Sequence, residues 1–232
     1  PFVVGYGCRR GAADGGRDQK VVVERLDDIG TLFDAPGRAL VLAEAWLKDL
    51  ELASLKNETG TAHLFEVVRE VLVGDASTGR AGILPGVDAL EIRDGVVRFT
   101  GPAVGPQGTP LAALSDGYIT TTGWVIDMMA RWVHRQRVQR KLAVPRRFHE
   151  EMTGFALVDE IDLHLHPRWQ REVIPTVRRA FPRMSFVVTT HNPLTLVGAA
   201  GCEVQVLRRT RETGRVEARA LGLPVGLRAD QV

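Results

Sequence analysis

Two short apolar runs in the second half of the chain each end in polar side chains. The run F-A-L-V at 155–158 stops at Asp159 and Glu160, and the run S-F-V-V-T-T at 185–190 stops at His191. A short continuous apolar run is typical of a strand that is buried on both faces, as in the centre of an α/β sheet. The two runs therefore predict neighbouring parallel strands whose polar tips lie at one edge of the sheet.

The segment that joins these runs, residues 167–181, has the apolar spacing of a crossover helix. Pro167 suits the first helical position, because the N–H group that it lacks would have no partner there. Pro175 lies inside the pattern and predicts a kink or a break near Ile174.

The first half of the chain combines helical stripes with a hairpin. Apolar stripes predict helices over residues 39–55 and 61–73. Between 86 and 100, two alternating runs flank Asp94-Gly95, which is a strong hairpin signal. The remaining predicted elements are a first strand over 2–7, running into a glycine turn, and a closing hairpin over 203–209 and 215–220.

The tetrapeptide L-S-D-G at 114–117 precedes another helical pattern. Ser115 or Asp116 can cap this helix, whose apolar side is formed by Val125, Met128, Met129 and Trp132. A helix start beside Gly117 also suits an anion, because free N–H groups and the helix dipole point towards it. The stretch is therefore either an ordinary helix start or a phosphate contact.

The composition is that of an ordinary globular protein. The chain has 232 residues, of which 44% are hydrophobic and 25% charged, and its formal net charge of +2 provides no global basic field. Cys8 and Cys202 make no disulfide framework, no apolar run approaches the length of a membrane span, and the start has neither the charged region nor the apolar region of a signal peptide. We therefore expect a cytoplasmic protein. The chain begins without Met, inside a predicted strand, which suggests a truncated chain.

The adjacent carboxylates of Asp159 and Glu160 are the strongest chemical signal. Successive side chains leave a strand in different directions, so one acid can hold a metal ion while the other faces a water molecule. Metal-assisted phosphoryl transfer uses two such groups, one near the metal ion and one that orients the attacking water. The alternative is that the two acids only end a strand and cap the next turn.

The segments L-V-D-E-I-D-L-H-L-H-P and V-V-T-T-H-N-P resemble the Walker B and switch-histidine segments of ABC-type ATPases. The resemblance is to the C-terminal part of an AAA-family P-loop ATPase of the RecF/SMC-like and OLD-like branch. It implies an α/β P-loop NTPase fold: an ABC-type ATPase head with a mixed or parallel central sheet, an inserted helical subdomain and β-hairpins. The pattern G-x-x-x-x-G-K-[ST] is absent, so we expect the N-terminal P-loop strand to be missing.

The same resemblance implies a division of the chain and a role for each site residue. Residues 1–110 would be the remnant of an N-terminal lobe, and residues 111–232 the ATPase core with ATP and Mg²⁺ as its ligands. Asp159 would bind Mg²⁺, Glu160 would be the general base, and His191 would contact the γ-phosphate. The L-S-D-G stretch resembles the ABC signature motif, which would place Ser115, Asp116 and Gly117 at the ATP of a partner in a head-to-head homodimer. Residues 164–166 would lie at the interface of that dimer.

The resemblance implies ATP hydrolysis that drives a DNA-repair or anti-phage defence effector, such as a nuclease. The 232-residue chain alone should be inactive without a phosphate loop. The alternatives are a nucleotide-gated DNA-binding clamp with little turnover and a split or inactive ATPase. A further reading, a Zn or Mn hydrolase, would use His164 and His166 with Asp159, Asp162 and His191.

The region 131–147, at and after the end of the helical pattern that follows L-S-D-G, is rich in basic residues. They are either a solvated helix end or contacts to a nucleic-acid backbone. The basic residues concerned are Arg131, Arg135, Arg137, Arg140, Lys141, Arg146 and Arg147, and the same question applies to Arg208, Arg209, Arg211 and Arg215. The resemblance would also place Arg9 or Arg10 near the nucleotide or the dimer face.

Overall fold

The computed structural model describes residues 1–8, 29, 32, 43–56, 58, 61–199, 204–210 and 214–221. The strands are β1 (Val3–Tyr6), β2 (Gly74–Asp75), β3 (Arg80–Ala81), β4 (Ala89–Arg93), β5 (Val96–Gly101), β6 (Gly105–Pro110), β7 (Gly154–Val158), β8 (Met184–Val188), β9 (Gln205–Arg209) and β10 (Val216–Ala220). The helices are α1 (Ala43–Leu55), α2 (Leu64–Val73), α3 (Asp116–His134), α4 (Phe148–Glu151), α5 (Pro167–Gln170) and α6 (Val173–Ala180). A π-helical turn covers Arg135–Gln139, and 3-10 turns cover Leu111–Ala113 and Pro193–Gly198.

A parallel sheet of three strands in the order β1-β7-β8 carries the strand tips that the sequence predicts as a site. Tyr6 pairs with Val158, and Val158 pairs with Val188, so all three strands end at the same edge. The predicted strand–helix–strand crossover with parallel strands is therefore confirmed, and the fold is a mixed α/β fold.

The two faces of this sheet differ in burial. Val4 and Ala156 are fully buried on one face, whereas Phe155 and Val187 on the other face are 50% and 56% exposed. The buried face receives α3, whose Trp124 ring lies 5.9 Å from the ring of Tyr6. The expectation of strands buried on both faces is therefore confirmed for one face and wrong for the other.

Gly154 is the first residue of β7 and lies very close to the backbone at the start of β1. A Cβ atom at this position would lie 2.2 Å from the carbonyl oxygen of Phe2, and the φ angle of +148° also favours glycine. The glycine therefore sets how β7 enters the sheet beside β1.

The helix α3 forms the centre of the core, as its apolar spacing predicts. Val125, Met128 and Met129 are fully buried and Trp132 is 4% exposed. Asp127, on the opposite side of the helix from this stripe, is also fully buried. Its Oδ2 atom accepts hydrogen bonds from the Tyr6 hydroxyl at 2.9 Å and from the Arg131 Nε atom at 2.6 Å. The bond from Tyr6 ties α3 to β1, and the bond from Arg131 lies within α3.

The antiparallel sheet β4-β5-β6 contains the predicted hairpin and one further strand. Arg93 pairs with Val96 across the turn, where Asp94 and Gly95 have φ angles of +52° and +70°. Positive φ angles at both central residues are typical of the Asp-Gly turns that match the strand twist. The third strand, β6, reads G-P-Q-G-T-P and is not predicted, since glycine and proline are depleted in strands and tolerated mainly at edges.

The crossover helix is interrupted, but not where the sequence predicts. The helix α5 ends at Gln170 and α6 begins at Val173, so the break precedes the predicted position near Ile174. Pro175 is the third residue of α6, in the first turn, where a missing N–H group leaves no hydrogen bond unmade. Pro167 opens α5, as predicted.

Other element predictions are largely confirmed. The helix expected over 39–55 is α1 from Ala43, and residues 39–42 lie outside the described residues. The helix expected over 61–73 begins at Leu64, and β9 and β10 form the closing hairpin. Ser115 occupies the position before α3, but its side chain makes no capping hydrogen bond. The division of the chain near residue 110 stays a prediction.

No helix in the described part of the chain is both long enough and apolar enough to cross a membrane.

Candidate functional site

The tips of β7 and β8 are joined by the hydroxyl group of Thr189. Its Oγ1 atom donates a hydrogen bond to Oδ1 of Asp159 at 2.5 Å and accepts one from the backbone N–H of Glu160 at 2.8 Å. Thr189 is not among the site residues predicted from the sequence. The signal that could have identified it is a hydroxyl residue at the end of the strand that neighbours the acidic pair.

Main-chain hydrogen bonds extend the sheet past the ends of its strands and hold the acidic pair. The N–H group of Asp159 donates to the carbonyl of Tyr6 at 2.8 Å, and that of Ile161 donates to the carbonyl of Thr189 at 3.1 Å. Between them, Glu160 has a φ angle of +47°, which is uncommon for a residue with a side chain. The backbone therefore turns sharply between the two acids.

His191 reaches the acidic pair from the neighbouring strand tip. Its Nδ1 atom lies 3.5 Å from Oε1 of Glu160, which gives an ion pair only when the imidazole is protonated. The His191 side chain is 81% exposed and that of Glu160 is 35% exposed. The structure thus brings Asp159, Glu160 and His191 together at an open edge where a substrate can reach them.

A second set of hydrogen bonds orders the loop that carries His191. Asn192 donates through Nδ2 to Oε1 of Gln170 at 2.7 Å, and Gln170 donates through Nε2 to the carbonyl of Leu165 at 3.0 Å. Oδ1 of Asn192 accepts from the N–H of Leu194 at 3.0 Å and caps the 3-10 turn that follows. Gln170 on α5 therefore links the segment after the acidic pair to the histidine loop.

The start of α3 packs against the segment that follows the acidic pair. A Cβ atom at Gly117 would lie 2.6 Å from the carbonyl oxygen of His164, so only glycine permits this approach. The ring centroids of Tyr118 and Trp169 are 4.9 Å apart, and the Tyr118 hydroxyl donates to the carbonyl of Pro85 at 2.7 Å. Burial raises the pKa of Tyr118, which keeps this hydroxyl protonated as a donor.

Ser115, Asp116 and Gly117 do not join the acidic pair within this chain. Among the described residues, no hydrogen bond or ion pair links these three to Asp159, Glu160 or His191. Ser115 and Asp116 are exposed at the start of α3. The three residues instead lie beside the segment that follows the acidic pair, where Gly117 contacts His164.

The donor set at the strand tips suits Mg²⁺. Asp159, Glu160 and Thr189 present only oxygen atoms, and Mg²⁺ is commonly bound through one or two carboxylates together with water and substrate phosphates. No group of three His, Cys, Asp or Glu side chains converges as a metal site within the described part of the chain. The Zn or Mn hydrolase alternative is therefore not supported. His166 instead caps α5, because its Nδ1 atom accepts from the N–H of Arg168 at 3.3 Å.

The predicted basic cluster divides into bound and exposed residues. Arg131 pairs with the buried Asp127, Arg135 donates to the carbonyl of Pro1, and Arg147 forms ion pairs within a surface cluster. Arg137, Arg140, Lys141 and Arg146 are exposed, as is the ion-paired Arg147. Arg9, Arg10 and Arg211 lie outside the described residues, and a nucleic-acid role stays a prediction.

The parallel sheet with its crossover defines an α/β protein, and its polar residues lie at the sheet edge where α/β proteins commonly bind ligands. Within the chain, residues 141–197, which include the acidic pair and His191, match a family described as "AAA domain, putative AbiEii toxin, Type IV TA system".

Curated relatives match parts of the chain. The Septu protein PtuA of Bacillus mycoides (strain KBAB4) is 42% identical over 102 residues, which are 44% of this chain and 13% of that protein. The Retron Ec83 probable ATPase of Escherichia coli is 56% identical over 41 residues, which are 18% of this chain and 8% of that protein. These matches confirm the resemblance to part of an AAA- or ABC-type P-loop ATPase. The chain thus spans 13% or less of the length of these two relatives.

Among solved structures, an SMC head bound to the C-winged helix domain of ScpA aligns with 80% of this chain and 52% of its own chain, at 15% identity and a TM-score of 0.47.

Proposed function

We propose that the intact protein binds and hydrolyses ATP at an ABC-type site to which this chain contributes Asp159, Glu160 and His191. The observation that carries the proposal is the hydroxyl-bridged acidic pair at the strand tips, with His191 3.5 Å from Glu160. The family match over residues 141–197 and a relative named as a probable ATPase support it.

Each of the three side chains has a distinct task in this mechanism. Asp159 would hold Mg²⁺, directly or through water. Bound Mg²⁺ supplies charge neutralisation at the transferring phosphate. Glu160 accepts a hydrogen bond from the attacking water and orients it, and its partly exposed carboxylate is open to that water. His191 donates a hydrogen bond to the γ-phosphate from the neighbouring strand tip.

A second copy of the chain would complete the site with Ser115, Asp116 and Gly117. Ser115 and Asp116 are exposed at the start of α3, and the Ser115 side chain makes no capping bond. Both are therefore available to a phosphate held by a partner. Since these residues do not join the acidic pair of their own chain, the head-to-head homodimer is the arrangement that would use them.

The biological setting is part of the proposal. Relatives named as Septu and retron proteins make anti-phage defence the first setting to test, with a nuclease or other effector as the partner. DNA repair and a DNA-binding clamp stay as alternatives, because the chain matches only a small part of each relative.

The test is the substitution Glu160→Gln in the intact protein. Loss of the water-orienting carboxylate should lower ATP turnover about 10²- to 10⁴-fold, the range of general-base contributions, while ATP affinity changes little. Steady-state hydrolysis and nucleotide titration measure the two quantities. Glu151→Gln, an exposed glutamate at the end of α4, is the matched control and should behave as the unmodified protein. Normal turnover in Glu160→Gln would contradict the assignment of Glu160.

A further inference from the structure

We infer that Thr189 is a positioning residue of this site, whose hydroxyl sets both the metal affinity of Asp159 and the direction of Glu160. The inference rests on the proposed ATPase function and adds a residue to it. It follows from the two hydrogen bonds that one Oγ1 atom makes to the two adjacent acids.

The direction of both hydrogen bonds is fixed by the number of hydrogen atoms. A backbone N–H can only donate, so the Thr189 oxygen must accept from Glu160. The single hydroxyl hydrogen is then left for the Asp159 carboxylate, 2.5 Å away. This bond holds the Oδ1 atom of Asp159 in one position at the strand tips and so fixes the orientation of the carboxylate that would hold the metal ion.

The hydroxyl is not needed for the pairing of the strand. The Thr189 N–H donates to the carbonyl of Val158 at 3.1 Å, and its carbonyl accepts from the N–H of Ile161 at 3.1 Å. These main-chain bonds continue the sheet without any side chain. The side-chain bonds therefore act on the two acids rather than on the strand.

The effect on Glu160 comes through its backbone. With a φ angle of +47°, Glu160 lies in a region that side-chain-bearing residues rarely adopt, and its N–H is held by Thr189. This conformation sends the side chain towards His191, 3.5 Å away. Without the hydroxyl, the peptide between the two acids loses a fixed bond, and the direction of the Glu160 carboxylate becomes less defined.

The experiment compares variants of position 189 in the intact protein. Thr189→Val keeps the shape and the branched Cβ atom but removes the hydroxyl, whereas Thr189→Ser keeps the hydroxyl. Thr189→Ala adds no bulk and serves as a second hydroxyl-free variant if valine lowers the melting temperature. Thr153→Val makes the same chemical change just before the other end of β7, on an exposed residue, and is the matched control.

The first measurement is Mn²⁺ affinity in the presence of a non-hydrolysable ATP analogue, and the second is ATP turnover. Thr189→Val should weaken Mn²⁺ binding and lower turnover, each by about 10- to 100-fold, as is typical for residues that orient a metal ligand. Metal-free nucleotide affinity should be unchanged, and Thr189→Ser and Thr153→Val should match the unmodified protein.

Two outcomes separate this inference from the function on which it rests. If the unmodified protein hydrolyses ATP and Glu160→Gln does not, but Thr189→Val and Thr189→Ala keep normal Mn²⁺ affinity and turnover, only the role of Thr189 is overturned. If the unmodified intact protein shows neither nucleotide-dependent Mn²⁺ binding nor hydrolysis, the proposed function itself is overturned.

Discussion

At the scale of single residues, the sequence does not show that the buried carboxylate of Asp127 stabilises the fold. It lies on the side of α3 opposite the apolar stripe, has no exposed surface, and accepts hydrogen bonds from Tyr6 and Arg131. A helical pattern marks where the stripe lies, but it does not show that a carboxylate on the other side of the helix has a partner on a distant strand.

Replacement of Asp127 by Ala should lower the free energy of unfolding by about 3–5 kcal/mol, because it leaves the largely buried Arg131 without its carboxylate. Tyr6→Phe removes one neutral donor from the same carboxylate and should cost about 0.5–3 kcal/mol. Urea unfolding of both variants measures the difference. Equal and small losses would show that Asp127 is not the centre of this network.

The residue-scale features of the candidate site were predictable in part. The sequence identifies Asp159, Glu160 and His191 because they directly follow apolar runs. The Thr189 bridge depends on the register that places Val158 beside Val188, and no local pattern contains this register. Similarly, a serine before a helix predicts a cap, but whether the Ser115 side chain turns back to the helix depends on its rotamer.

At the scale of elements, the interrupted crossover links the two loops of the candidate site. The break between α5 and α6 leaves Gln170 at the end of α5, where its amide bridges the carbonyl of Leu165 and the side chain of Asn192. A proline inside a helical pattern predicts a break. The break falls earlier because a proline fits without loss in the first turn of the next helix.

Gln170→Leu should loosen both loops, since it leaves the Leu165 carbonyl and the Asn192 amide without their partner. We expect a loss of about 1–3 kcal/mol in stability and faster amide hydrogen exchange at 161–165 and 191–195 than elsewhere in the sheet. Exchange measured by mass spectrometry tests this, with the exposed neighbouring residue in Arg171→Ala as control. Unchanged exchange in both segments would mean that Gln170 does not connect the two loops.

At the scale of the whole molecule, the junction of α2, β3 and α4 makes stability depend on pH. His149 on α4 is buried, and burial lowers its pKa; Glu70 and Glu150 oppose this shift, whereas Arg147 and Arg80 add to it. The unfolded chain takes up a proton at His149 near its ordinary pKa of about 6.5, and the folded protein does so only at lower pH. Above pH of about 6.5, neither the folded nor the unfolded chain binds this proton, and the stability is highest. As the pH falls below about 6.5, the unfolded chain binds the proton first, and the stability decreases.

His149→Gln, which cannot be protonated, should reduce the loss of stability between pH 7.5 and pH 5.5. The measurement is the urea midpoint of both proteins at the two pH values. The change in midpoint between the two pH values is compared between the proteins, so that the contributions of the other titrating groups cancel. A loss of equal size in the variant and in the unmodified protein would show that His149 does not contribute to the pH dependence.

The parts of the fold that a short stretch of sequence determines were predictable. The parallel crossover and the Asp-Gly hairpin follow from runs of fewer than ten residues, and both are present. The strand β6 was not predictable, since its glycines and prolines disfavour a strand until β5 supplies hydrogen-bond partners. The half-exposed second face of the sheet is likewise set by which helices pack on it, which strand composition alone does not determine.

The candidate site lies within the single segment from β7 to the 3-10 turn after His191, residues 154–198, which affects how such a site can pass from one protein to another in evolution. Asp159, Glu160, Thr189 and His191, with the side-chain bonds among them, all lie within one contiguous segment. A gene rearrangement that exchanges the sequence before or after this segment would carry the arrangement into a new protein intact. The support of β1, through the carbonyl of Tyr6, and that of α3, through Gly117 and Tyr118, would have to be provided again by the new neighbours. The segment can therefore be inherited as a unit by proteins whose other domains differ but which supply these two supports.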